Sequence, residues 1–289
     1  MRVLLTGGSG FIGRHVAKAL FAEGIEFLTL GRTSSTASSK HINVDLLRTP
    51  DFEALIEAAK PTHLIHLAWC TEHGKYWDSQ DNLDWMTSTY KLFEAFAKHG
   101  GAHAFIAGTC AEYDWRYGYC DEELTPSNPG TLYGVAKDAT RRMSQLMSSA
   151  SGIPLTWGRI FFPFGPGENP RRLIPSLFRA FRGEIEPFGV NAHYLRDFIY
   201  VEDIASAICV CVQQKFNGVI NLSSGNPVAL EQIVRVIATA EGKDPRLILD
   251  KDSPKRAEPQ LLVGSCQKLR SLGWAPKQDV KSALESLRI

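Results

Sequence analysis

Apolar residues along this chain follow two alternating rhythms. Short continuous runs, RVLLT (2–6), EFLTL (26–30), HINVDL (41–46), THLIHLA (62–68), AHAFIAGT (102–109) and PLTWGRIF (154–161), have the pattern of strands buried on both faces. Between them, FIGRHVAKALFAEG (11–24) and the segments near 51–59, 83–99 and 133–149 fit the helical period. Gly24 suits the end of the first helix. Regular alternation requires crossover connections, so the pattern predicts an α/β fold with a doubly wound parallel (Rossmann) sheet.

Past FFPFGPGENP (161–170) the regularity loosens and Gly and Pro become frequent. A large domain over 1–161 is therefore expected, with a smaller α/β region built from 162–190 and 224–289 to bind substrate. RDFIYVEDIASAICVCVQQ (196–214) and GVINLS (218–223) read as a buried strand and helix followed by another strand. The chain is expected to return to the large domain at about 191–223.

Composition adds exclusions. With 32 basic and 31 acidic residues, net charge does not point to a nucleic acid or a membrane. No apolar run approaches the roughly 20 residues that span a bilayer, and Gly7 interrupts the N-terminus before a signal-peptide core develops. A cytoplasmic protein is expected. The six cysteines lack metal-site spacing with histidine, so reduced thiols and no metal are expected.

The first chemical signal is TGGSGFIG, with Gly7, Gly10 and Gly13 between the first strand and the first helix. Glycine lets backbone approach a phosphate, and the helix N-terminus offers unpaired N–H groups to negative charge. Dinucleotide binding follows from this setting. An acid at the end of the second strand would accept the adenosine ribose; here LTLGRTSS places Gly31 and then Arg32. A guanidinium binds phosphate bidentately, so NADP(H) is expected over NAD(H), with Arg32 as clamp and Ser34 or Ser35 as helper. Asp45, followed by Leu46 in NVDLL, is placed either to reach the adenine or to cap the next turn.

The second signal is TLYGVAKDATRRM (131–143), where Tyr133 and Lys137 stand one helical turn apart. Together with TGGSGFIG, HLA (66–68), Thr109 of GTCAEYD, FGPG (164–167), RDFIYVEDIA (196–205) and SLGWAP (271–276), this set resembles the extended short-chain dehydrogenase/reductases. The resemblance covers nearly the whole chain and implies action on nucleotide-activated sugars. It implies Thr109, Tyr133 and Lys137 as catalytic residues, with Phe11, Ile12, Leu67 and Ala68 beside the cofactor. The chemistry fits these types: hydride movement at carbon requires proton movement at the attached oxygen, and a lysine cation favours the phenolate of a nearby tyrosine. Lys137 is also placed to bond the nicotinamide ribose.

The resemblance further narrows the reaction. Cys110-Ala111 stands where the family's dehydratases carry Asp-Glu, which removes the acid and base of dehydration. Two activities remain: NADPH-dependent reduction of a C4 ketone on a nucleotide-linked deoxysugar, and 4-epimerisation with tightly held NAD(P). The NADPH expectation favours the reductase. A sensor or scaffold that binds NADP(H) without chemistry is the remaining alternative. Arg196 and Arg256 correspond in the family to residues near the substrate diphosphate, and Cys110 is placed either for packing or to touch substrate. Trp85 and Phe162 depart from the family, both standing where asparagine is usual. With Trp69 and Tyr76, Trp85 either encloses the sugar or joins the core. His66 either approaches the cofactor or is a satisfied core histidine, and Asp197 and Asp203 read as structural. The family commonly pairs through two helices, so a homodimer through 83–99 and 133–149 is expected.

Overall fold

The structure is a computed structural model that describes residues 1–33, 40–48, 51–253 and 258–287. The first half alternates strand and helix: β1 (Arg2–Thr6), α1 (Phe11–Ala22), β2 (Glu26–Gly31), β3 (His41–Asn43), α2 (Phe52–Ala59), β4 (His63–His66), α3 (Asp81–Lys98) and β5 (His103–Thr109). After two single-turn 3-10 helices come β6 (Tyr119–Cys120), α4 (Leu132–Ser151), β7 (Leu155–Ile160), β8 (Phe162–Phe164) and α5 (Leu173–Phe181). The remainder is β9 (Leu195–Arg196), β10 (Phe198–Tyr200), α6 (Val201–Gln213), β11 (Gly218–Leu222), β12 (Val228–Ala229), α7 (Leu230–Ala240), α8 (Arg246–Leu249), β13 (Leu261–Gly264), α9 (Gln267–Ser271) and α10 (Val280–Ser286).

Seven strands form one parallel sheet in the order β11-β7-β5-β4-β1-β2-β3. The order reverses direction between β1 and β4, and ligands of such sheets bind beyond the carboxyl ends at that switch point. Both faces are covered. On one, α1 and α6 pack around Val16, Leu20, Ile204 and Ile208; on the other, Phe93, Phe96 and Trp157 fill the space beneath α2 and α3. A third core joins α5, α7, α10 and β10.

The strand expected at the start of 196–214 is interrupted. β9 and β10 flank Asp197, and neither enters the main sheet: β10 pairs with β8, whereas β9 joins β12 and β13 in a four-stranded sheet that also holds β6. The cause is Asp197, a fully buried carboxylate that accepts from Ser224 N and Oγ (both 2.7 Å), Gly225 N (3.0 Å) and Gly264 N (3.2 Å). Its four donors come from segments far apart in sequence, so they fix the geometry where three loops meet. Asp203 acts similarly, accepting from Lys277 N and Gln278 N and tying the C-terminal segment to α6. The third strand stops at Asn43 because Asp45 turns the chain, its Oδ1 accepting from Leu47 N at 3.1 Å.

Three histidines lie in the sheet. His66 is a satisfied core residue, with Nδ1 2.7 Å from Thr6 Oγ1 and Nε2 2.9 Å from Thr89 Oγ1. Burial lowers its pKa to about 3, and that of His63 and His103 to about 4. All three are neutral when folded, whereas unfolded histidine gains a proton below about pH 6.5. Stability is therefore complete above that pH and is lost as pH falls from 6.5 toward 4, on the order of 3 kcal/mol per histidine. Thermal unfolding should show the midpoint falling across this window, with a shallower fall in His103→Gln; an equal slope in both proteins would contradict the assignment.

Candidate active site

The carboxyl ends of β1 and β4 meet at a glycine cradle. Gly7 adopts φ +70, and a Cβ there would lie 2.8 Å from Ala68 N; one on Gly13 would lie 2.0 Å from Gly7 O. The contact between α1, the β1 loop and Leu67-Ala68 thus exists because no side chain intervenes. Gly10 caps α1 without a side-chain hydrogen bond, and the first turn holds no acid. Its N–H groups are left to an anion, and a dinucleotide phosphate fits this cradle. Phe11 and Ile12 form the first turn. Leu46 is buried and its carbonyl accepts from Ser88 Oγ at 2.7 Å, while Asp45 caps its own turn and pairs with Arg48 at 3.6 Å. Ser34 and Ser35 fall outside the described residues.

Thr109 ends β5 and Tyr133 begins α4, whose N-cap Thr131 accepts from Gly134 N at 3.1 Å. Both side chains are buried, and a hydrogen bond links them. Burial holds the Tyr133 phenol above its ordinary pKa, and the bond with Thr109 pulls the other way. Lys137, one turn along the same face, is 3% exposed. Its ammonium donates to Ala107 O at 2.7 Å and rests 3.7 Å from the centre of a Trp69 ring. Burial lowers its pKa to about 7, while the charge of Glu112 raises it. The sheet therefore brings together three residues separated by up to 28 positions, and places them beside the cradle.

An aromatic wall covers the phenol. Tyr76 and Trp77 meet the Tyr133 ring edge-on, with centroids 5.0 and 5.8 Å away. Asn82 holds this segment: its Oδ1 accepts from Trp69 Nε1 at 2.8 Å and its Nδ2 donates to Tyr76 O and Ser79 O. Trp85 stacks against Trp69 at 6.3 Å. From the opposite side Arg172 lies 5.4 Å from the Tyr76 ring and hydrogen-bonds its hydroxyl. Glu168, buried nearby, keeps Oε2 without a hydrogen-bond partner, and burial pushes its pKa up to about 8.

The expected diphosphate residues are separately placed. Arg196 is buried, stacked near Tyr194 and Phe162, and donates to Leu195 O at 3.0 Å and Glu258 Oε2 at 3.2 Å. Arg256 lies outside the described residues. Cys110 packs with Tyr113, Cys120, Phe161 and Leu262, and burial pushes its thiol far up, so it is inert. Residue patterns did not disclose Glu112 or the bracing role of Asn82; both act through partners distant in sequence. Among the described residues no helix is long and apolar enough to cross a membrane.

Comparison with known proteins agrees with this geometry and corrects one expectation. The chain is 26% identical over 241 residues to dTDP-6-deoxy-L-talose 4-dehydrogenase (NAD(+)) of Aggregatibacter actinomycetemcomitans, covering 81% of this chain and 88% of that protein. The crystal structure of Thermus thermophilus UDP-glucose 4-epimerase with NAD superposes with a TM-score of 0.85 at 24% identity, covering 99% of this chain and 97% of the other. MoeE5 in complex with UDP-glucose and NAD gives 0.87 at the same identity and coverage. These proteins hold NAD, which overturns the expectation of NADP(H). That expectation rested on one guanidinium, and Arg32 is an exposed side chain at the end of β2, where a solvated arginine is ordinary. The description "NAD dependent epimerase/dehydratase family" matches residues 3–223. The chain belongs to that family, the extended short-chain dehydrogenase/reductases, and is an enzyme of that type.

Proposed function

We propose that this chain interconverts a hydroxyl and a ketone at C4 of a nucleotide-linked sugar with NAD(H), and that it does so as a 4-epimerase. The observation that carries this reading is the grouping of Thr109, Tyr133 and Lys137 on one buried wall beside the glycine cradle. Gly7, Gly10, Phe11, Ile12, Gly13, Asp45, Leu46, Leu67 and Ala68 are the residues that would hold the cofactor, with Lys137 at its ribose. Bound there, the dinucleotide supplies or accepts hydride.

Thr109 holds the sugar oxygen and Tyr133 exchanges the proton on it. Burial favours the protonated phenol, which is the form that gives a proton to the oxygen when a ketone is reduced. The reverse step needs the phenol to release its own proton first, and both the Thr109 hydrogen bond and the Lys137 charge favour that release. Tyr76 and Trp77 keep water from the phenol, so these influences act in a low-dielectric space where they are strong. Arg196 and Arg256 are proposed to meet the diphosphate.

Epimerisation uses this relay in both directions and returns the cofactor to its starting state, which accords with NAD. Net oxidoreduction of a 4-keto-deoxyhexose is the second reading, favoured by the Aggregatibacter dehydrogenase among the relatives. Pairing of two copies through α3 and α4 is proposed as well. These helices pack on one another, and Leu83, Val135, Met143 and Leu146 remain exposed on them.

Tyr133→Phe should lower kcat by about 10² to 10⁴ and leave NAD affinity, measured by calorimetry, within about twofold. Full turnover in the variant would remove the enzymatic mechanism and leave a binding protein. Incubation of UDP- and dTDP-hexoses with NAD should give the C4 epimer without accumulating NADH; stoichiometric NADH would select the second reading, and a requirement for NADP would contradict the cofactor. Sedimentation should show a dimer that Leu146→Glu converts to monomer, whereas a parent protein sedimenting as monomer would rule the pairing out.

A further inference from the structure

Behind Thr109 lies a carboxylate in a place where an apolar residue would pack. Glu112 closes the short turn Cys110–Glu112 that follows β5, and it is fully buried. A buried charge persists when it is paired and hydrogen-bonded, and donors surround this one. Thr109 N lies 2.8 Å from Oε1, Trp157 Nε1 lies 2.9 Å from Oε1, and Arg159 Nε lies 2.8 Å from Oε2. Arg141 Nε stands off at 3.8 Å and is held by Asp138. Gly108 permits the approach, since a Cβ there would fall 2.1 Å from Trp157 Nε1 and 2.6 Å from Glu112 Oε1.

The same carboxylate faces the catalytic wall. Its charge raises the pKa of Lys137 against the effect of burial. The other titratable neighbours of that amine add no negative charge: His66 of β4 is neutral with a pKa of about 3, and the Tyr133 phenol of α4 is held protonated by burial. Around Glu112 itself, the Tyr113 phenol and the Cys110 thiol are also pushed up and stay neutral. Arg159 has support beyond Glu112, donating to Ser127 Oγ at 2.8 Å and lying 4.0 Å from the Tyr113 ring centre. Neutralising Arg159 therefore does not account for the bond to Thr109.

Resting on the roles proposed above for Thr109 and Lys137, we propose that Glu112 is a positioning residue of the catalytic centre. Its bond to the Thr109 N–H sets the direction of the Thr109 hydroxyl, and its charge keeps Lys137 in the ammonium form. Two variants separate these effects. Glu112→Gln keeps the size and removes the charge; Glu112→Asp keeps the charge and draws it back from Thr109.

With Glu112→Gln the alkaline limb of kcat/KM should move down by about one pH unit. With Glu112→Asp the limb should stay in place while kcat falls about tenfold. Arg159→Met is the control, because it disturbs the same buried cluster and leaves the carboxylate beside Lys137; a merely structural Glu112 would give this variant and Glu112→Gln the same pH profile, which would overturn the proposal. A substrate-free measurement runs in parallel: competitive acetylation of Lys137 by acetic anhydride across pH, read by mass spectrometry of its peptide. If the parent turns over no nucleotide sugar, the functional reading fails, yet this titration still decides whether the carboxylate controls the amine. An identical Lys137 titration in parent and Glu112→Gln overturns the proposal. Should Glu112→Gln fail to fold, Glu112→Asp alone decides, and a displaced limb or an unchanged kcat there counts against it.

Discussion

Gly13 lies directly against the carbonyl of Gly7, and much of the architecture depends on that contact. No β-carbon fits between them, so α1 can lie against the end of β1 with its N-terminus directed at the switch point. That placement leaves the first N–H groups of α1 facing the gap between β1 and β4. The catalytic wall stands on the same side of the gap because β5 is the next strand beyond β4. A side chain at either glycine would displace the helix, and with it the relation between cofactor cradle and phenol.

Around this backbone contact the protein buries charge. Lys137, Glu112, Arg159, Asp197 and Arg196 are all nearly inaccessible, yet each has partners. Such groups add little net stability compared with apolar residues of the same volume, and removing one partner costs about 3–5 kcal/mol. Their use here is geometric. Asp197 fixes three loops at once, and Glu112 joins the end of β5 to β7, so side chains from separate segments hold one arrangement.

What the sequence disclosed was local or periodic. The parallel sheet followed from alternating apolar rhythms, and the glycine cradle and the Tyr133/Lys137 spacing are readable within a few residues because one helical turn or one loop defines them. The features it concealed depend on distant partners. The bonds from Asn82 to Trp69 and from Glu112 to Trp157 and Arg159 join residues 13, 45 and 47 positions apart, which no window of periodicity samples. The break between β9 and β10 was hidden because the donors to Asp197 lie 27 to 67 residues downstream. The cofactor expectation failed differently: a single arginine at a strand end was weighed as a clamp, although one exposed cation carries little information without a second group around the same phosphate.

The aromatic wall has an optical consequence. The chain contains six tryptophans, and Trp69, Trp77, Trp85 and Trp115 cluster with Tyr133 while Trp157 donates to Glu112. Only Trp274 lies apart, hydrogen-bonded to Ser206. Indole emission from this protein therefore reports chiefly on the chemistry of one cleft, and the ammonium resting on Trp69 couples the brightness of that ring to the charge of its neighbour.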